Sequence, residues 1–257
     1  MKYSSLSSGS SGNSFYVLNE KTDSAILIDS GISCKKTEES LSYLNKSVES
    51  IKAIFITHEH SDHLKGADVL ARKHGIPIFA TPKTIRNSFV CSNEGLVNPI
   101  SGNREINIAG MDIKPFKKNH DGHEPVSYSV FDSKKMSILT DIGKTCRNVE
   151  GAISDANSLI IESNHDINML KKGNYPYPTK QRILSSEGHL SNWHSSLAVL
   201  EHAHNKLRNI TLAHLSRNNN TPELALNTFK KILNERKNFH PEIEVALKNI
   251  PTRLKSV

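Results

Sequence analysis

The sequence predicts an α/β fold in a single domain spanning residues 1–257. Three observations carry this. Short apolar runs recur from end to end, amphipathic stretches with helix-starting residues separate them, and no linker, repeat or low-complexity tract divides the chain. Hydrophobic residues make up 36% and charged residues 23%, which excludes a disordered chain. No run approaches the roughly 20 apolar residues of a membrane helix, so no membrane partner is expected. The first six residues lack the apolar core of a secretory signal, and the expected address is the cytoplasm. Cys34, Cys91 and Cys146 are odd in number and form no C-x-x-C pair, which argues against a disulfide framework and a structural zinc ribbon. Thirteen histidines direct attention to metal.

The elements follow in order. Residues 7–14, Ser-Ser-Gly-Ser-Ser-Gly-Asn-Ser, lie between Leu6 and the apolar run 15–18 and predict a tight turn joining two strands. Backbone N–H groups and hydroxyls in such a turn also suit an anion, and both readings stand. The run 25–28 is a buried strand entering the turn Asp29-Ser30-Gly31. Residues 36–44 carry a helical pattern. Residues 51–56 form a second buried strand, followed at once by Thr57-His58-Glu59-His60-Ser61-Asp62-His63. A helix over 64–74 stops at Gly75, a strand covers 76–80, and Thr81-Pro82 starts a capped helix. Residues 105–118 predict a hairpin turning at Ala109-Gly110 and leading to His120. Strands at 127–131 and 136–139 flank Asp132-Ser133, and the second enters Thr140-Asp141. A strand at 158–161 ends at Glu162, Ser191 caps a helix over 192–205, and a strand at 210–213 ends at His214. Thr221-Pro222-Glu223 opens a helix to 236, and 242–247 is the last strand. His58, Asp141, Glu162 and His214 thus lie just past strand carboxyl ends, and His120 within two residues of one. In α/β architecture that edge is where sites are built.

His58-x-His60-x-Asp62-His63 packs four potential ligands into six residues. In an extended segment alternate side chains point the same way, so His58 and His60 converge on one ion. A chain then entering a helix turns Asp62 and His63 towards a second. Ions of the zinc type take imidazole nitrogen and carboxylate oxygen at about 2.0–2.2 Å. Two ions about 3.5–4 Å apart need more ligands than one loop supplies. The strand ends beyond offer His120, Asp141 and His214, and the two oxygens of Asp141 allow it to bridge. A polar loop of solvated histidines is the plainer alternative, but clustered His and Asp are the usual signature of a metal site.

H-x-H-x-D-H after a strand, followed by a His, an Asp and a late His, resembles the metallo-β-lactamase superfamily from residue 7 to residue 214. The resemblance implies a four-layer αββα sandwich with two divalent metal ions at one edge. It implies one site from His58, His60 and His120, a second from Asp62, His63 and His214, and Asp141 shared. Asp29 matches a family Asp that supports the metal loop and orients imidazoles. Finer likeness lies in Ser5-Leu6-Ser7-Ser8-Gly9-Ser10-Ser11-Gly12-Asn13-Ser14, Leu139-Thr140-Asp141-Ile142-Gly143, Glu162-Ser163-Asn164-His165-Asp166, Gly188-His189-Leu190-Ser191-Asn192 and His214-Leu215-Ser216 with Asn219-Asn220. Together these resemble the YycJ/WalJ branch, related to ribonuclease Z and to cyclic phosphodiesterases. The branch implies a metal-dependent phosphodiesterase or nuclease, a 5′-to-3′ DNA exonuclease, in which hydroxide bridging two zinc or manganese ions attacks phosphorus. Zinc and manganese both suit mixed His and carboxylate ligands. The alternatives are a phosphodiesterase for a small nucleotide or cyclic phosphate, and an RNA-processing hydrolase.

Asp62, Glu162 and His189 are the catalytic candidates. By the same resemblance His189 protonates the departing oxygen and Glu162 holds its ring; the competing reading has His189 cap the helix near Ser191. His120 is preferred to His123 as third ligand because it lies closer to the strand end. Residues 171–182 are expected to form a loop at the mouth of the site. Tyr175 and Tyr177 there would stack on bases, and Lys180 and Arg182 would contact phosphate. His74, His194, His202, His204 and His240 read as surface or packing residues. A formal net charge of +7 suits a polyanion, and DNA is the favoured partner. The oligomeric state is left open.

Overall fold

The computed structural model describes residues 1–102 and 104–257. They group into two compact units, one of Met1–Lys117, Gly122–Ser133 and Ala246–Val257, the other of Lys118–Asp121 and Lys134–Val245. Among the described residues no helix is long and apolar enough to cross a membrane.

The first unit opens with β1 (Lys2–Ser7), β2 (Ser14–Asn19) and β3 (Ser24–Ile28), paired antiparallel in that order. The Phe-Tyr-Val-Leu and Ala-Ile-Leu-Ile runs are buried throughout, as central strands covered on both faces require. α1 (Cys34–Tyr43) begins where the Ser33 hydroxyl accepts from the Lys36 amide at 3.4 Å. β4 (Ile51–Phe55) returns parallel to β3. The predicted helix over 64–74 is two helices, α2 (Ser61–Leu64) and α3 (Ala67–His74). The break has a physical cause. At Gly66 the chain presses on the 30–32 turn, where an added Cβ would lie 1.7 Å from the Ile32 carbonyl oxygen. Gly31 on that turn meets Asp62 as closely, at 1.6 Å from its carbonyl oxygen. β5 (Ile78–Ala80), α4 (Pro82–Asn87) and β6 (Val97–Pro99) complete the parallel part, with Thr81 as the expected cap of α4. The hairpin turns as expected between β7 (Ile106–Ile108) and β8 (Met111–Lys117), and β9 (Val126–Phe131) pairs antiparallel with β8. Phe55 stacks on Phe79 at 5.0 Å and meets Tyr128 edge-on at 5.5 Å, while the Tyr128 hydroxyl donates to the Ile56 carbonyl.

The second unit is a parallel sheet. β10 (Lys135–Leu139), β11 (Ser158–Glu162), β12 (Asn209–Ala213) and β13 (Glu242–Val245) lie side by side in sequence order. Their crossovers carry α5 (Arg147–Ser154), then α6 (Ile167–Lys172), α7 (Tyr177–Leu184) and α8 (Asn192–His202), then α9 (Pro222–Leu233). The expected loop over 171–182 is corrected: its second half is α7. Pro176-Tyr177-Pro178 reads as loop rigidity, yet proline in a first helical turn has its fixed φ in the helical range and needs no N–H partner. α8 and α9 end short of 205 and 236. Arg236 lies beyond α9, donates to the Ala203 carbonyl and stacks 4.5 Å from the Phe239 ring centroid. The chain finishes in the first unit as β14 (Lys255–Ser256), antiparallel to β1.

Candidate metal centre

In the first unit the imidazoles stand where β4 leaves the sheet. β3 and β4 are parallel neighbours, so their carboxyl ends share one edge. Asp29, just past β3, has φ of 62°, a left-handed conformation that Asp tolerates better than most residues. Its carboxylate is fully buried. Oδ1 accepts from the Thr57 amide at 2.8 Å, and Oδ2 from the Thr57 hydroxyl at 3.0 Å and His63 Nδ1 at 2.7 Å. An ionised carboxylate only accepts, so His63 carries its proton on Nδ1 and keeps the Nε2 lone pair for a ligand. The Asn13 amide nitrogen, a donor, faces that lone pair at 3.3 Å. Thr57 has one hydroxyl proton, already given to Asp29. At 2.9 Å from His58 Nδ1 it therefore accepts, and His58 also keeps Nε2 as donor to a metal. The His58 ring lies 4.5 Å from that of His60 and 4.3 Å from that of His63. Asp62 Oδ2 is 3.3 Å from His63 Nε2.

The Ser-Gly turn braces this loop. Asn13 closes the turn on itself, accepting from the Gly9 amide at 2.9 Å, and donates to Asp62 Oδ2 at 3.2 Å. Its backbone N–H donates to the Asp62 carbonyl at 2.8 Å.

In the second unit β10, β11 and β12 run parallel in register, which brings Asp141, Glu162 and His214 to one edge. Asp141 and His214 take φ of 54° and 56°, left-handed like Asp29. Glu162 is fully buried. Oε1 accepts from His189 Nδ1 and from His214 Nδ1, each at 2.9 Å. Oε2 accepts from the Ile142 amide at 3.0 Å and the Leu190 amide at 2.9 Å. Burial pushes the carboxyl upward, but the charge of His189 and the hydrogen bonds from His189 and His214 outweigh it and hold it at about 2. Asp141 Oδ1 lies 3.3 Å from His214 Nδ1, 3.7 Å from His189 Nδ1 and 3.8 Å from His120 Nε2. One ligand atom from each of Asp141, Glu162, His189 and His214 lies within 4.8 Å of the others. His120 donates Nδ1–H to the Gly188 carbonyl at 3.1 Å, and burial pushes its pKa down to about 4. It is therefore neutral near pH 7, the form that ligates. His123 is instead tied in the first unit to Glu59, Nδ1 to Oε1 at 2.6 Å. Ser191 caps α8, accepting from the His194 amide at 3.1 Å, so the capping alternative for His189 falls away.

Residues 8–131 match the family model for the metallo-β-lactamase superfamily. The chain is 36% identical to exodeoxyribonuclease YycJ of Bacillus anthracis over 245 residues, covering 92% of this chain and 90% of that protein. It is 40% identical to exodeoxyribonuclease WalJ of Streptococcus pneumoniae serotype 2, strain D39, over 232 residues, covering 87% of this chain and 85% of that protein. The crystal structure of the metallo-β-lactamase fold protein YhfI from Bacillus subtilis matches with a TM-score of 0.72 at 14% identity, covering 98% of this chain and 99% of that one. The chain belongs to the metallo-β-lactamase superfamily. It stands in the YycJ/WalJ branch, has the α/β sandwich fold of the superfamily and is a metal-dependent hydrolase.

Divalent ions are what the superfamily uses, and the donor chemistry suits them. Buried imidazoles with Nδ1 committed to an acceptor can offer only Nε2, and the carboxylates beside them supply negative charge. The four residues expected to touch substrate are placed differently from one another. Tyr177 is 73% exposed on α7. Arg182, on the same helix, pairs with Asp121, Nη1 to Oδ2 at 2.7 Å. Lys180 donates to the Lys171 carbonyl, and the Tyr175 hydroxyl accepts from Asn218 at 3.2 Å. Sequence reasoning missed Thr57, Asn13 and the second ring held by Glu162. Thr57 adjoins one motif and Asn13 lies within another, but which ring nitrogen a hydroxyl or amide reaches has no sequence signal.

Proposed function

We propose that this protein is a DNA exonuclease working from the 5′ end, with two zinc or manganese ions and the cytoplasm as its place of action. The observation that carries the reading is the buried Glu162 carboxylate, which holds His189 and His214 by their Nδ1 atoms together. The names of the YycJ and WalJ relatives point to DNA. In this reading His58, His60 and His120 would hold one ion, Asp62, His63 and His214 would hold the other, and Asp141 would serve the two. Bound ions would supply water of lowered pKa and neutralise charge on the phosphoryl group. The chain's own residues do the rest. Asp29 fixes the imidazoles of the first unit. Asp62 serves both as ligand and as a carboxylate held by Asn13 at the reacting centre. Glu162 orients His189, whose Nε2 proton passes to the departing oxygen. Tyr175 and Tyr177 offer faces to bases, and Lys180 and Arg182 offer charge to phosphates.

The test incubates purified protein with manganese or zinc on 5′-labelled duplex DNA, single-stranded DNA, RNA and bis(p-nitrophenyl) phosphate. Stepwise release of mononucleotides from the 5′ end of DNA is expected. His189→Ala should keep its metal content and lose most turnover. Hydrolysis of the small diester alone, or of RNA in preference to DNA, would overturn the reading.

A further inference from the structure

Behind His189, wholly within the second unit, lies a cavity of about 390 Å³. It is at the small end of ligand sites, which run from about 300 to 1,000 Å³. His189 forms one wall, so the cavity shares a residue with the proposed centre. Leu184 and Leu197 give it apolar surface, Lys144 a cation, and His165 and His194 two imidazoles.

His165 is the informative residue. It is 1% exposed, and its Nε2 is buried with no hydrogen-bond partner. A buried polar atom without a partner is costly, and natural structures give such atoms a reason. Asn164 donates its amide to the His214 carbonyl at 2.9 Å, so its Oδ1, 3.3 Å from His165 Nδ1, accepts from that ring. Nε2 is then an acceptor without a donor, and being buried it meets a ligand once the ring turns toward the cavity that His165 lines. Burial also pushes the ring down to about 4, which keeps it neutral and unable to serve a phosphate by charge. What suits it is an N–H. Every nucleobase carries one on its pairing edge, so this acceptor takes any of the four.

We propose that this cavity receives the departing terminal nucleotide, its base edge on His165 Nε2, its base face against Leu184 and Leu197, and its own phosphate near Lys144. The proposal rests on the exonuclease reading. In that reaction water oxygen bonds to phosphorus, the P–O3′ bond breaks, and the 3′ oxygen takes the proton from His189. The group that leaves beside His189 is therefore the terminal nucleotide, and the cavity lies where it must go. A pocket for one nucleotide also gives a reason for cleavage at an end.

The test is calorimetric titration of the metal-loaded protein with deoxyadenosine and with deoxyadenosine 5′-monophosphate. Deoxyadenosine lacks phosphate and reads the pocket rather than the metals. Binding of both is expected, with the nucleoside weakened at least tenfold in His165→Leu, rescued in part by His165→Gln, and weakened at least tenfold in Leu184→Trp. Leu184 is 41% exposed, so the last variant narrows the mouth without disturbing the core. Lys144→Met should leave nucleoside binding unchanged and weaken the monophosphate severalfold. No nucleoside binding, or equal binding in all variants, overturns the proposal even if DNA is degraded from its end. Binding with these losses but no DNA hydrolysis supports the pocket and removes the nuclease instead.

Discussion

Two buried carboxylates, one in each unit, do related work by different routes. Asp29 reaches one imidazole, His63, directly and a second, His58, through the Thr57 hydroxyl. Glu162 reaches His189 and His214 both directly and ties down two backbone amides besides. In the proposed assignment Asp29 serves only metal ligands, whereas Glu162 serves one ligand and one proton donor. Loss of Asp29 should then be a defect of metal binding, and loss of Glu162 a defect of binding and chemistry together.

The largest effect is expected from Glu162→Ala. Two ring N–H groups and two amides lose their acceptor inside a fully buried site. Breaking a buried pair in this way costs about 3–5 kcal/mol. Chemical denaturation should show a loss of that size, and turnover on DNA should fall more than a hundredfold and stay low at any metal concentration. Asp29→Asn comes next. Asn also accepts the left-handed backbone at this position, so the change falls on the acceptor of His63. Metal affinity, read by competition with a chromogenic chelator, should drop about 10–100-fold. Saturating metal should restore turnover. Persistent low turnover in Asp29→Asn would erase the distinction between the two carboxylates.

The two clusters also differ in how far the sequence reveals them. His58, His60, Asp62 and His63 fall within six residues; alternation along an extended segment brings the His58 and His60 rings together, and the turn into α2 brings His63 against His58. His120, Asp141, Glu162, His189 and His214 are scattered over nearly a hundred positions. Recurrence after apolar strands marks His120, Asp141, Glu162 and His214, and parallel register brings Asp141, Glu162 and His214 together; His189 follows no strand, and only the motif around it singles it out. The left-handed φ at Asp29, Asp141 and His214 was not legible, because a residue one or two places past a strand gives no sign of its backbone sign. Helix α7 was misread because its prolines signal a turn and a helix start equally well. The Thr57 bridge and the unpartnered Nε2 of His165 depend on tertiary contact alone.

Thr57→Val sharpens the difference between direct and relayed anchoring. It keeps the shape of the side chain, leaves the Asp29–His63 bond and the backbone bond to Asp29 in place, and removes the hydroxyl's bond to Asp29 together with its link to His58. A buried ring N–H without its acceptor costs about 1–3 kcal/mol. Metal affinity should fall less than in Asp29→Asn, and Thr57→Ser should restore it. An effect as large as that of Asp29→Asn would mean that the hydroxyl, not the carboxylate, governs both rings.

The smallest effect concerns an imidazole that neither carboxylate anchors. Burial lowers the His165 pKa from 6.5 to about 4, against the opposing pull of Glu162 and Asp166 and with help from His189 and His194. The folded chain therefore takes up this proton less readily than the unfolded chain. Above pH 6.5 both states hold the ring neutral and its contribution to stability is full. As pH falls below that value the unfolded state gains the proton first, and stability declines until the folded ring also titrates near pH 4. Glu162 behaves in the same sense but lower, since its carboxyl moves from 4.5 to about 2. Urea midpoints of the parent and His165→Gln, taken between pH 7 and pH 5, should converge as pH falls, because the variant lacks this loss. Midpoints that stay parallel across that window would mean that the ring is solvated and paired, and the acceptor assigned to the cavity would go with it.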